Sequence, residues 1–189
     1  MKTTTDVKAN DRRTREILER RAAALAVISE HQVSRGEVED LMVFQIDEAR
    51  YGVRIEQIKE VQPLDGKTWC RIPCTPDFVL GAVNIRGIVY SILNIAKYLG
   101  VGSTEIPESA HVLLASAGKT ADGDVMEVCI LADDLPQSRT VNLEDINPPG
   151  GAVSARAQQF VRGVTPDMVM VLDLGQLLSE QGIIVNEEP

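Results

Sequence analysis

Few residues in this chain are spaced for chemistry. Cys70 and Cys74 form a C-x-x-x-C pair with Pro73 between them, Cys129 lies far along the chain, and His31 and His111 are the only histidines. A structural zinc site takes four Cys or His ligands at tight spacing. One isolated pair does not supply them, so the thiols read as free side chains. An odd cysteine count with no apolar leader also argues against a disulfide framework. His111 opens an apolar stretch with no Ser or Cys nucleophile beside it, and reads as a rim or core residue. Asp133-Asp134 is an acidic pair, but consecutive residues on a strand point to opposite faces and chelate Mg²⁺ poorly; a turn or surface role fits better. There is no G-x-G-x-x-G after a strand, no G-x-x-x-x-G-K, no G-x-S-x-G elbow and no H-E-x-x-H. The expectation is a protein without catalysis, cofactor or metal.

What stands out instead is a corner. Residues 78–95 place two apolar runs around Asn84-Ile85-Arg86-Gly87. Gly87 allows a positive φ there, and Gly81 lets another backbone approach closely. Arg86 then projects from a rigid hairpin, where a carboxylate can hold its planar guanidinium through two hydrogen bonds. Taken alone, such an arginine merely solvates a turn; its surroundings decide otherwise.

The elements that position this corner are short strands. Residues 1–10 are polar, and 11–34 read as one helix, capped by Asp11 and ended by Gly36. From Glu39 onward the pattern turns to strands near 40–47, 51–55, 58–64, 79–86 and 88–93. A loop rich in Gly, Trp, Cys and Pro covers 65–77, and a short helix at 94–99 stops at Gly100. His111 to Ala117 alternates weakly; Ala121-Asp122-Gly123-Asp124 signals a hairpin to 125–132. A strand near 137–143 precedes the Asn147-Pro148-Pro149-Gly150-Gly151 loop. A last hairpin, 159–164 with 168–172 across Thr165-Pro166-Asp167, leads to a closing helix at 174–181. About ten strands with no strand–helix–strand alternation exclude a parallel α/β sheet and suit a sandwich or two small barrels.

Composition narrows the function. The chain has 189 residues and a net charge of −9. The first 36 carry eight Lys/Arg against five Asp/Glu, and the remainder eleven against 23, splitting the charge into about +3 and −12. An acidic β-rich body repels phosphates. One Trp, three Tyr and three Phe are too few for the aromatic platform of an oligonucleotide-binding barrel. No apolar run approaches the roughly 20 residues needed to span a bilayer, and the N-terminus is no signal peptide. The expectation is a cytoplasmic protein that binds neither nucleic acid nor membrane.

From about residue 40 to 180 the chain resembles the CheW family. Phe44-Gln45-Ile46 and Tyr51-Gly52-Val53-Arg54-Ile55 open the resemblance. Ile58-Lys59-Glu60-Val61 is similar to the family's V-x-E-I strand, and Ile72-Pro73, Pro76 and Phe78-Val79-Leu80-Gly81 to its I-P-x-x-P-x-x-V-x-G. Asn84-Ile85-Arg86-Gly87 matches the N-L-R-G signature, the most specific element. Phe160-Val161-Arg162-Gly163-Val164 resembles Y-I-x-G-V, and Val171-Leu172-Asp173-Leu174 the closing L-L-D-x. Two positions depart: the family's P-x-x-D-L after the signature has Ser91 and Asn94 here, though Asn94 still caps a helix.

The resemblance implies a mainly β fold of two small five-stranded barrels, with a helix added at the N-terminus and a short one at the C-terminus. It divides the chain into a tail and helix over 1–36, a CheW-like domain over 37–182 and a tail over 183–189. It implies a non-catalytic adaptor that binds a CheA-type histidine kinase and the cytoplasmic tip of a chemoreceptor, in a flagellar array or in one controlling pili or a second messenger. Receptor binding is implied for Glu60 and Arg86, with Asn84 in the signature and Ile58 and Val61 as apolar neighbours; no kinase-binding residue is assigned. Residues 1–36 exceed a minimal family member, and they include the 11–34 helix. Ile17, Leu18, Ala22, Leu25 and Ile28 line one side of that helix, which either covers its own acidic body or reaches a second copy or an array partner.

Overall fold

The computed structural model describes residues 37–65, 69–102, 105–119, 123, 125–150 and 153–180. The chain divides into two compact units, Met1–Gly36 and Glu37–Pro189. All described residues belong to the second, so the expected 11–34 helix and its apolar stripe lie outside them.

The mainly β expectation holds, in two sheets. The first begins with β1 (Val38–Ile46) and β2 (Ala49–Arg54), an antiparallel hairpin closed by the Ile46–Ala49 pair. Its turn is only Asp47-Glu48, and β2 starts two residues earlier than the expected 51–55 strand, because Asp47 takes φ 53° and turns the chain at once. Aspartate tolerates that left-handed region better than most residues. The chain then leaves this sheet, builds the second, and returns. β9 (Gln137–Asn142) pairs with β1, while β10 (Val161–Val164) and β11 (Val169–Leu172) form a hairpin whose second strand runs parallel to β2. The order is β10-β11-β2-β1-β9.

Ion pairs join strands that this order separates. Arg139 of β9 reaches Asp167 in the β10–β11 turn, and Glu39 of β1 takes Arg54 and Arg162, each at 2.8 Å. A flat sheet could not bring its two edges to shared partners, so the strands curl.

The second sheet consists of β3 (Ile58–Pro63), β4 (Trp69–Cys70), β5 (Val79–Ile85), β6 (Ile88–Leu93), β7 (His111–Lys119) and β8 (Val125–Ala132) in the order β3-β7-β8-β6-β5-β4. It has six strands where five were expected. The extra one, β4, falls in the 65–77 segment read as loop. It exists because Gly81 has no side chain: a Cβ there would stand 2.1 Å from the Cys70 carbonyl oxygen. The bare backbone at residue 81 thus seats Cys70 against β5, in register with Ala82.

Two short helices close the fold. α1 (Ile95–Tyr98) is capped by Asn94, whose side-chain oxygen accepts the Lys97 amide at 3.0 Å, so the departure from Asp at this position keeps the cap. α2 (Leu174–Leu178) is capped in the same way by Asp173 and ends before the expected residue 181. The 159–164 strand is likewise shorter, because Ala157–Gln159 forms a single 3-10 turn.

The core explains why β7 alternates so weakly. Leu113, Ala115 and Ala117 join one buried cluster with Phe44, Tyr51, Val53 and Leu172, whereas Val112 and Leu114 join another with Leu80, Val83, Ile85 and Ile92. β8 divides the same way, with Val128 and Ile130 on one side and Cys129 and Leu131 on the other. Over 112–115 and 128–131 both strands are buried on both faces, so those positions are all apolar and the period of two vanishes there.

Candidate functional site

The β5–β6 connection is a two-residue turn. Ile85 pairs with Ile88, leaving Arg86 and Gly87 between them at φ 53° and 90°. Positive φ at both central residues defines a type I′ turn, whose twist matches that of the strands it joins. Glycine was expected to supply the positive φ, but Arg86 takes one as well. For a residue with a Cβ this costs about 1 kcal/mol. Asn84 steadies the turn, its side-chain oxygen accepting the Gly87 amide at 2.9 Å.

The strained conformation throws the Arg86 side chain outward. It is 80 % exposed, yet its Nη2 donates to Glu60 Oε1 at 3.1 Å. Glu60 itself is 27 % exposed and emerges from β3 opposite Leu114. Its neighbour Lys59 pairs with Glu127 on β8, and Glu127 also accepts the Tyr90 hydroxyl.

Glu60, Asn84 and Arg86 therefore come together on one surface. Ile58 and Val61 do not join it. A bulge between Ile58 and Glu60 breaks the ladder, and both aliphatic residues pack half-buried against the cluster shared with the first sheet. Two residues to which the sequence reading gave no site role follow the turn and stand exposed beside Arg86: Ile88 is 57 % exposed and Val89 66 %. Alternation along a strand turns only one of two consecutive residues outward, so the exposure of both is not read from the pattern.

Nothing at this surface is set for catalysis. The cysteines divide into exposed Cys70 and Cys74 and buried Cys129, whose thiol is pushed up to about 12 by burial and by the charge of Glu60. A thiol so far above neutrality is not a nucleophile. His111 begins β7, with its Nδ1 at 2.8 Å from the Ser109 carbonyl. Asp133 and Asp134 lie past the end of β8; Asp133 Oδ2 accepts the Asp47 amide at 2.5 Å and serves to tie two turns together. Among the described residues no group of three or more His, Cys, Asp or Glu is placed to hold a metal ion.

The comparisons with known proteins agree on one family. A family model described as CheW-like domain matches residues 40–182. A probable chemotaxis protein CheW from Rhizobium etli is 28 % identical over 144 residues, covering 75 % of this chain and 88 % of the relative. Chemotaxis protein CheW from Klebsiella aerogenes is 24 % identical over 146 residues, covering 76 % and 83 %. The crystal structure of the scaffolding protein TtCheW from Thermoanaerobacter tengcongensis superimposes with a TM-score of 0.61 at 21 % identity, covering 77 % of this chain and 96 % of that one, and shares its fold. Taken with the curled sheets and the hairpin that carries Arg86, they show that this chain belongs to the CheW-like domain family.

Proposed function

We propose that this protein couples chemoreceptors to a CheA-type histidine kinase, and that the surface around Glu60, Asn84 and Arg86 meets the receptor's cytoplasmic tip. The observation that carries the reading is the Arg86–Glu60 pair, held out on a strained turn that leads into the exposed aliphatic residues Ile88 and Val89. A guanidinium presented rigidly beside Ile88 and Val89 can take a partner carboxylate and bury apolar area at the same time. Arginine and apolar side chains of this kind anchor protein interfaces.

In this reading the working domain runs over residues 37–182, and the protein acts in the cytoplasm, where receptor tips and kinase meet. No described helix is long and apolar enough to cross a membrane. The kinase and the receptor bind at once, so the protein's contribution is spatial and needs no turnover.

The test is reconstitution. Receptor cytoplasmic fragments and the kinase from the same organism are mixed with and without this protein, and kinase autophosphorylation is followed. The expected result is a receptor-dependent change in kinase rate that requires the protein. A kinase that responds to receptor equally well without it would overturn the reading.

A further inference from the structure

β9 ends the first sheet, and only one of its edges has a strand beside it. Register decides which backbone groups lie on the other edge. A two-residue hairpin closes on a hydrogen-bonded pair, here Ile46 with Ala49. The even-numbered residues of β1 therefore bond to β2 and the odd-numbered ones to β9. The Leu143 amide fixes the same phase: it donates to the Glu37 carbonyl at 2.9 Å, one pair beyond Val38–Asn142. Leu41 thus exchanges bonds with Arg139, and the N–H and C=O of Ser138 and Thr140 point away from β1.

No described residue takes these groups in a backbone hydrogen bond. β10 does not cover them, because its Val164 exchanges both backbone bonds with Asn147, past the end of β9. Gln137, Ser138, Arg139 and Thr140 are all exposed, so the strand is open on both faces as well as along its edge. An unpaired edge is a template for another strand, and proteins blunt such edges with proline, bulges or covering loops. β9 contains no proline, and its register against β1 has no bulge.

The side chains select the occupant. A second copy pairing through its own β9 would bring the two Arg139 side chains opposite or diagonal to each other, and like charges so placed are destabilising. An acidic residue in a foreign strand has the reverse effect. Arg139 lies on the same face of the sheet as Arg50, and both line a cleft of about 380 Å³ with Val43 and Leu135 as apolar lining. Asp134 is the one acid in that lining. Both guanidiniums meet Asp167, but each has five N–H donors, which leaves donors for a second carboxylate. Strand addition of this kind draws affinity from main-chain bonds and specificity from adjoining pockets. We propose that β9 is a docking edge for an extended acidic segment of a partner protein, which pairs with Ser138 and Thr140 and sets a carboxylate against Arg139 and Arg50.

An acetylated peptide of alternating valine and threonine with one central glutamate tests this, titrated into the isotope-labelled full chain and followed by backbone amide NMR. The expected result is saturable shifts centred on the Ser138 and Thr140 amides. The same peptide with lysine in place of glutamate should bind roughly fivefold more weakly or worse, and a fully N-methylated one should not bind. Ser138→Pro removes an edge N–H at a position where proline is tolerated, so it should abolish binding while the melt stays close to wild type. Should that variant fail to fold, Arg139→Glu decides: it should reverse the preference in favour of the lysine peptide. No saturable binding, equal binding of the acidic and lysine peptides, binding of the N-methylated peptide or shifts away from β9 would overturn the assignment. So would a dimer of the free protein that Ser138→Pro dissolves, because the edge would then belong to a second copy.

Discussion

Arg86 touches Glu60 at 3.1 Å although the sheet ladder sets them far apart. Following hydrogen-bonded partners, Glu60 lies opposite Leu114, Leu114 opposite Cys129, and Cys129 opposite Ile92. Glu60 is thus level with a residue six positions along β6 from Arg86, and three strands away from it. In a flat sheet that would be about 14 Å across and 20 Å along. Only the coiling of the six-stranded sheet joins them, so the contact reports the intact curl of the fold. As an exposed ion pair it contributes at most about 1 kcal/mol to stability. Its value lies in where it holds the guanidinium.

The strain at Arg86 leads to the first prediction. Asparagine occupies the left-handed region readily and is favoured before glycine in type I′ turns. Arg86→Asn should therefore leave the denaturation midpoint unchanged or raise it, with a net gain of up to about 1 kcal/mol, while receptor binding weakens. A variant destabilised by more than about 1 kcal/mol would show that the arginine serves the fold.

The second concerns Gly81, whose missing side chain admits the Cys70 carbonyl. Gly81→Ala forces backbone against backbone and should cost roughly 1–3 kcal/mol, the scale of overpacking. Trp69, the single tryptophan, sits half-buried on the displaced strand. Its emission should shift to the red in the folded variant. Unchanged emission with unchanged stability would mean that β4 does not depend on this approach.

Thiol chemistry supplies the third. A mild aromatic disulfide reagent should titrate Cys70 and Cys74 quickly in the native protein, and Cys129 only on unfolding. The sign of the pH effect follows from the Cys129 thiol, which lies near 9 in the unfolded chain and is pushed up to about 12 in the fold. Its contribution is intact below pH 9 and is lost as pH rises toward 12, because only the unfolded chain releases the proton in that window. Stability should fall across it, and Cys129→Ala should flatten the fall. Rapid native labelling of all three thiols would contradict the burial of Cys129.

Much of this was legible in the residues. The strands at Ile88–Leu93 and Val125–Ala132 follow from apolar runs bounded by glycine and polar turns, and Asn94 announces α1 through its cap. The Asn84-Ile85-Arg86-Gly87 corner was legible because a tight turn is a local event. What escaped was non-local. β4 depends on Gly81, eleven residues away from Cys70 in sequence, and no property of Trp69-Cys70 foretells it. The outward turn of Ile88 and Val89 and the separation of Ile58 from Glu60 depend on a turn type and a bulge that composition does not encode.

The most direct measurement is the affinity of the purified protein for a receptor cytoplasmic fragment, wild type against Arg86→Ala, by calorimetry, with the thermal melt of each recorded alongside. The account expects the variant to bind more weakly by roughly 1–3 kcal/mol, about five- to 150-fold, the usual scale for a charged interface anchor. The two proteins should melt within a degree or two of each other. Undiminished affinity in a folded Arg86→Ala variant would contradict it.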